Sequence, residues 1–513
     1  MRADWRFLLP WDRERAPLIR VPDGRRAAWM VDDGWAVPPE HPAEVDAVAV
    51  EEGPELDRVV AEERPALLVI WRRAHGDGLR RRRPVLGPLP APADYRTRTY
   101  LALPDAAEPR TYLSLDPEAR PVIADWLAAR LPVPTAVAAV LAQGMQAVGR
   151  RRPGAVVVAE RLTGADGADA ATTGDAAERG GGAAEPGGDD SGPATVVTTS
   201  GHDEGSRAVR LRYRPGPDGE ATAEVEKFAN RPCYGDNSTG EQEALAEVRR
   251  RLPAQLAAAV PEPLGTDTLA GVTRVRESHL PGPTMAQALS RRTRPAPAEA
   301  ALRTGIGWLD AVHEATAQPV RWTEAETEAW LRRPLADLPD DASRSASLRS
   351  LIEAVAARAD GAQVATVLRH YDPGPWNLIL GPRLGVIDWE NRSPRPPDRR
   401  GPALGDHLYL SCYWRHLVVG AGSLDDERAA SGLVEPVERR ARWAVEASRR
   451  RVLASAEALG VDRRAIPALW VHNWLEQAVF TSLRRPDGAP GSGVEYLAWA
   501  GSDGAPLFAR WGL

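Results

Sequence analysis

Lysine is almost missing from this chain. Of its 65 basic residues one, Lys227, is lysine and the rest are arginine. Arginine is a broad planar fork and lysine a compact charge on a thin stem, so the two differ most in tight sites. The one position that stayed lysine therefore asks for a specific role. Cysteine is scarce too, with Cys233 and Cys412 alone, which excludes a disulfide framework or a cysteine metal cluster. No long apolar run exists. The best stretch, Leu131 to Val148, is interrupted by Pro132, Pro134, Gln143 and Gln146, so no membrane span is expected. Trp5, Asp12, Arg13 and Glu14 stand where a secretory leader needs an apolar core. A net charge of -6 leaves no basic footprint for nucleic acid. These absences describe a cytoplasmic protein, and 513 residues suffice for two or three domains.

What is present falls into blocks. Residues 163–194 are rich in Gly, Ala and Asp with almost no large apolar side chain; such a segment cannot offset its ordering entropy and reads as a disordered linker. Before it, residues 1–162 mix strand-like runs (Ala66 to Trp71, Tyr100 to Leu103) with helical patterns, giving a separate α/β domain of unread function. After it come three strand-like segments, Thr195 to Thr199, Ala208 to Arg214 and Ala221 to Ala229. In the third, the two-residue period puts Lys227 on one face with Ala223 and Val225, toward an interior or cleft. A helix follows, with Thr239 and Gln242 as its capping box and Leu245, Val248 and Leu252 as its buried stripe. Glu241 lies on that buried face and needs a partner, which Lys227 supplies in this reading.

The chemistry concentrates in His370-Tyr371-Asp372-Pro373-Gly374-Pro375-Trp376-Asn377, followed by Leu378-Ile379-Leu380 and by Val386-Ile387-Asp388-Trp389-Glu390. A hairpin turning at Gly381-Pro382-Arg383 brings Asn377 and Asp388 to neighbouring strand ends, where both could face one Mg²⁺, an ion that prefers oxygen ligands. Asp372 lies beside them as the carboxylate that accepts a hydroxyl proton. The spacing His-x-Asp-x₄-Asn is that of a kinase catalytic loop. Alone, Asp388 could cap a turn and Asn377 could satisfy backbone groups; together with Asp372 they read as catalytic. His370 reads as structural, and Trp470 and Trp474 as core. Asp406 reads as a helix cap.

Over roughly residues 195–480 these features resemble the aminoglycoside phosphotransferase and choline kinase-like family. The resemblance is carried by Lys227 on its strand, Glu241 before Leu245 and Val248, Glu277-Ser278-His279-Leu280-Pro281-Gly282, the helix ending Leu309 to His313, and the HYDPGPWN and IDWE motifs. It implies an α+β, two-lobed kinase-like fold: a β-rich N-lobe and hinge over 195–282 and a helical C-lobe over 283–513. It implies ATP or GTP as donor and a small hydroxyl compound as acceptor. Glu277 and His279 would contact the nucleotide at the hinge. The phosphate loop would be Ser200 to Ser206, with backbone groups near Gly201 and Gly205 doing the binding despite Asp203 and Glu204. Tyr371 stands where the family commonly has glycine, narrowing the acceptor entrance. Asp406 equally resembles an aspartate that the family carries near the catalytic loop. A regulatory, nucleotide-binding pseudokinase is the rival reading; the acidic phosphate loop favours it and the complete set of site residues disfavours it.

Overall fold

In the computed structural model the described residues are 19–20, 47–51, 54–63, 67–71, 95–104, 109–115, 119–120, 123–124, 127, 135–149, 155–161, 194–199, 207–215, 221–229, 236–269, 272–338, 346–389, 399–420, 439–484, 493 and 496–498. The expected linker up to residue 193, and the expected phosphate loop with Gly201 and Gly205, lie outside them. The chain divides into two compact units, one of residues 1–239 and 264–279, the other of residues 240–263 and 280–513.

The first unit is built on an eleven-stranded sheet. Its strands run, in spatial order, Ile19–Arg20, Ala47–Glu51, Leu67–Trp71, Ala155–Arg161, Tyr95–Pro104, Pro109–Ser114, Ala194–Thr199, Arg207–Pro215, Ala221–Ala229, Val272–Ser278 and Pro263–Leu269. The three expected strands after the linker form within a residue of their expected bounds, because β-branched and alternating patterns suit a pleated surface. The separate domain expected over residues 1–162 is not separate in the sheet. Strand Pro109–Ser114 pairs antiparallel with Ala194–Thr199, in register Thr111 with Thr198 and Leu113 with Val196. Backbone pairing of edge strands leaves no compositional mark, and closing a long connection costs little more entropy than closing a short one.

The second unit is mainly helical, and the whole is α+β. Helix Asp236–Arg251 starts three residues before the expected capping box. Four consecutive residues there, Asp236-Asn237-Ser238-Thr239, all favour a helix start, so the cap signal is degenerate. Its predicted stripe is real: Leu245, Val248 and Leu252 are buried with Leu302, Ile306 and Leu309 of helix Pro295–Thr316. That shared core groups the helix, from Gly240 onward, with the second unit. A second core joins helix Ala346–Ala359 to helix Ile466–Arg484 through Ile352, Val355, Leu475 and Trp474, and Trp470 is buried there as expected. A three-stranded sheet of Gln318–Arg321, Gln363–Leu368 and Arg400–Pro402 leads directly into the motif at His370. Among the described residues no helix is long and apolar enough to cross a membrane.

Candidate active site

The chain leaves strand Gln363–Leu368 and turns sharply at Tyr371, whose φ of 74° is left-handed. Asp406, in the first turn of helix Gly405–Val419, holds that turn. Its carboxylate accepts the backbone N–H of His370 at 2.7 Å and of Tyr371 at 3.1 Å, and a bond from Arg369 Nε at 3.2 Å. Burial would raise the Asp406 pKa, but the Arg369 guanidinium, His313 and the two N–H groups hold it well below the carboxylate range. Arg369 is fully buried and also bonds Glu476 at 2.6 Å. Removing either charge would strand the other in the interior, at a cost of roughly 3–5 kcal/mol.

His370 is structural, as its place in the sequence suggested. Its Nδ1 accepts the Asp372 N–H at 3.2 Å, so Nε2 carries the proton donated to the Ile387 carbonyl at 2.9 Å. Burial pushes its pKa down to about 4. The imidazole is therefore neutral at pH 7 and serves as a strut between the two motifs.

The hairpin forms as read. Strands Leu378–Leu380 and Leu384–Val386 pair antiparallel, with Leu378 opposite Val386. The pairing extends one step further, the Ile387 N–H reaching the Asn377 carbonyl at 3.0 Å. That brings Asn377 and Asp388 to adjacent strand ends. Asn377 donates its Nδ2 to the Asp372 carbonyl at 2.9 Å. With the amide nitrogen committed to the loop, Oδ1 is the atom left to meet a ligand. Asp388 has a φ of 66°, a left-handed conformation that aspartate tolerates better than most residues. Among the described residues no three or more His, Cys, Asp or Glu side chains form a metal cluster. One amide oxygen and one carboxylate suit Mg²⁺, which keeps few protein ligands and takes its remaining oxygens from phosphate and water.

Asp372 is flanked by an aromatic group absent from the expected set. Tyr409 is buried, and burial, followed by the charge of the neighbouring Asp372 side chain, raises its pKa well above the usual value. Tyr409 packs on Tyr413 at 4.7 Å, and Tyr413 meets Trp376 of the loop at 4.9 Å. Tyr371 departs from expectation. Its ring does not line an entrance: it is 4% exposed, lies 4.5 Å from the Arg369 guanidinium carbon and donates its hydroxyl to the Arg400 carbonyl at 3.2 Å.

In the first unit, Lys227 is 6% exposed and its Nζ lies 3.1 Å from Glu277 Oε1. The register explains the pair. Lys227 stands opposite Val275 on the antiparallel neighbour, and Glu277, two residues on, shares that face as a diagonal partner. Glu277 was expected as a nucleotide contact at a hinge; it sits within strand Val272–Ser278, its carboxylate turned to Lys227. His279 follows that strand, its N–H bonded to the Ala223 carbonyl at 3.1 Å. Glu241 is fully buried, as its helical phase predicted, but falls in the second unit, where its charge acts on Arg399. Asp406 was marked in the sequence only by its place at a helix start and by resemblance; Arg369 and Tyr409 carry no spacing that marks them.

Residues 197–398 match the family model described as the phosphotransferase enzyme family, APH. No curated protein gives a match. Among solved structures, a glucosamine kinase in complex with glucosamine, ADP and inorganic phosphate is 18% identical, covering 62% of this chain and 96% of its own, with a TM-score of 0.34. An aminoglycoside phosphotransferase, APH(3'')-Id from Streptomyces rimosus ATCC10970 in complex with ADP and streptomycin, is 19% identical, covering 55% of this chain and 92% of its own, with a TM-score of 0.30. Both overlaps are loose. The HYDPGPWN and IDWE motifs fall inside the matched stretch, and residues 197–398 resemble the phosphotransferase enzyme family.

Proposed function

We propose that the chain is a kinase-like phosphotransferase, moving the terminal phosphate of ATP or GTP to a hydroxyl of a small molecule of the aminoglycoside, amino-alcohol or sugar kind. The observation that carries this reading is the bond from Asn377 Nδ2 to the Asp372 carbonyl, in a loop that Asp406 clamps from behind. It ties the base-bearing loop to the strand end that presents an oxygen ligand. Asp372 accepts the acceptor's hydroxyl proton as that oxygen bonds to the terminal phosphorus and the bond to the leaving nucleoside diphosphate breaks. Tyr409 stands beside that carboxylate, its hydroxyl kept protonated by burial and by the Asp372 charge. Asn377 and Asp388 would hold Mg²⁺, which when bound neutralises phosphate charge. Lys227, held by Glu277, is assigned to the donor phosphates; Glu241, Gly201, Gly205 and His279 are assigned to the nucleotide side. Positioning and charge neutralisation supply most of the rate, since no covalent intermediate is needed.

The test is transfer of labelled phosphate from ATP or GTP to a panel of hydroxyl acceptors, for wild type and Asp372→Asn. Loss of the base should lower kcat by about 10²- to 10⁴-fold. A wild-type protein that binds nucleotide yet transfers phosphate to no acceptor would sink the reading in favour of a regulatory nucleotide-binding protein.

A further inference from the structure

Arg399 occupies a position that the mechanism above does not use. It adopts a left-handed φ of 52°, and among the described residues no carboxylate pairs with it directly. Its guanidinium instead spans two backbone carbonyls. Nη1 donates to the Trp389 carbonyl at 2.9 Å and Nη2 to the His370 carbonyl at 3.3 Å. Two rings close around it, Trp389 at 5.7 Å and Tyr371 at 5.9 Å from the guanidinium carbon. Burial lowers its pKa, opposed by Tyr371, Asp406 and Glu241. A half-buried guanidinium is costly to place, and here it is committed to two carbonyls with a defined relation to the chemistry. His370 lies two residues before the base Asp372, and Trp389 immediately follows the metal-side Asp388.

The same two segments are joined a second time. The His370 ring bonds the Ile387 carbonyl at 2.9 Å and lies 4.4 Å from the Trp389 ring. The backbone on both sides of Asp388 is thus tied to one residue of the catalytic loop: Ile387 through the imidazole, Trp389 through Arg399. A left-handed aspartate persists only where its surroundings over-determine it, and these two ties do so. We propose that Arg399 is a positioning residue that clasps the base-bearing loop to the metal-bearing loop, so that one guanidinium sets the place of Asp388 relative to Asp372. A planar fork can reach two carbonyls at once; an ammonium at the same position cannot keep both. The clasp also explains Tyr371, whose ring walls the guanidinium where a glycine would leave it open.

The proposal rests on the phosphotransferase reading, and its test separates the two. Full-length wild type, Arg399→Lys and Arg399→Met are compared for Mn²⁺ binding in the presence of ADP, by electron paramagnetic resonance, and for kcat, acceptor KM and half-saturating Mg²⁺. Loss of a group that orients a metal ligand commonly costs about 10- to 100-fold in metal affinity or activity. Both variants should weaken Mn²⁺ binding and lower kcat in that range while the acceptor KM moves less than about threefold, the split expected of a residue that acts through the metal side. Arg399→Lys keeps the charge and decides the matter if Arg399→Met does not fold. If Arg399→Lys binds Mn²⁺ and turns over within about twofold of wild type, the clasp is overturned, even where stability falls. A wild type that neither binds Mn²⁺ with ADP nor transfers phosphate overturns both readings.

Discussion

At the scale of single residues, Tyr371 shows how a backbone demand and a side-chain demand compete. Its φ of 74° is a conformation in which a β-carbon costs about 1–2 kcal/mol and glycine costs little. The tyrosine stays because its ring is buried between Arg369 and Arg399. Two truncations separate these terms. Tyr371→Ala and Tyr371→Gly lose the same ring, but only alanine keeps the left-handed cost. Glycine, normally the more destabilising of the two, should here be the more stable by about 1 kcal/mol in urea unfolding. The opposite order would mean that the turn at 371 relaxes once the ring is gone. The residue types and spacing of Asp372, Asn377 and Asp388 are legible in the sequence because the loop and hairpin that carry them are local in the chain. No such local signal gives Asp406 its contact, because that carboxylate reaches His370 from 36 positions away. Nor does a local pattern bring Glu277 to Lys227: strand register does, setting it diagonally across from the lysine.

At the scale of elements, the hairpin carrying the site is fixed by a close approach at its turn. A β-carbon on Gly381 would lie 2.1 Å from the Pro281 carbonyl oxygen, a backbone atom with no rotamer to yield. The Leu280-Pro281-Gly282 segment therefore packs against the hairpin turn as well as following a strand. Gly381→Ala should destabilise the second unit by several kcal/mol, as overpacking against rigid atoms does. Gly240 is the internal contrast: it lies inside helix Asp236–Arg251 with nothing within 4 Å of a β-carbon. Gly240→Ala should stabilise by about 0.5–1 kcal/mol through helix propensity alone. Equal responses of the two variants in thermal unfolding would remove the packing argument for Gly381. Elements of this kind were legible where one period or one turn defines them: the hairpin, the strand with Lys227 and the stripe on the Glu241 helix. What was not legible was assembly. The pairing of Pro109–Ser114 with Ala194–Thr199 runs across the expected domain boundary, and no local pattern announces which edge strands will meet.

At the scale of the molecule, buried histidines set an acid limit. His313 and His370 are almost fully buried and burial pushes each pKa down to about 4; His416, beside Arg415, is lowered to about 4 as well, again chiefly by burial. In the unfolded chain each returns to about 6.5. Above that value both states are neutral and the histidines contribute nothing to the pH dependence. Between about 6.5 and 4 the unfolded state binds protons that the folded state refuses, so stability falls as pH falls, by about 1.4 kcal/mol per pH unit for each histidine. Asp406 acts in the same direction but later: its folded pKa is depressed, so its stabilisation is lost only below the ordinary carboxylate pKa near 3.9. The window from pH 6.5 to 5 therefore isolates the histidines. Urea unfolding at pH 7.5, 6 and 5 should show the second unit losing about 2 kcal/mol per histidine by pH 5, with a slope approaching three protons. His313→Asn, whatever it does to stability at pH 7.5, should reduce that slope by about one proton. A stability that stays flat from pH 7.5 to 5 would mean that these imidazoles are charged in the fold, and His370 could then not be the neutral strut between the two catalytic motifs.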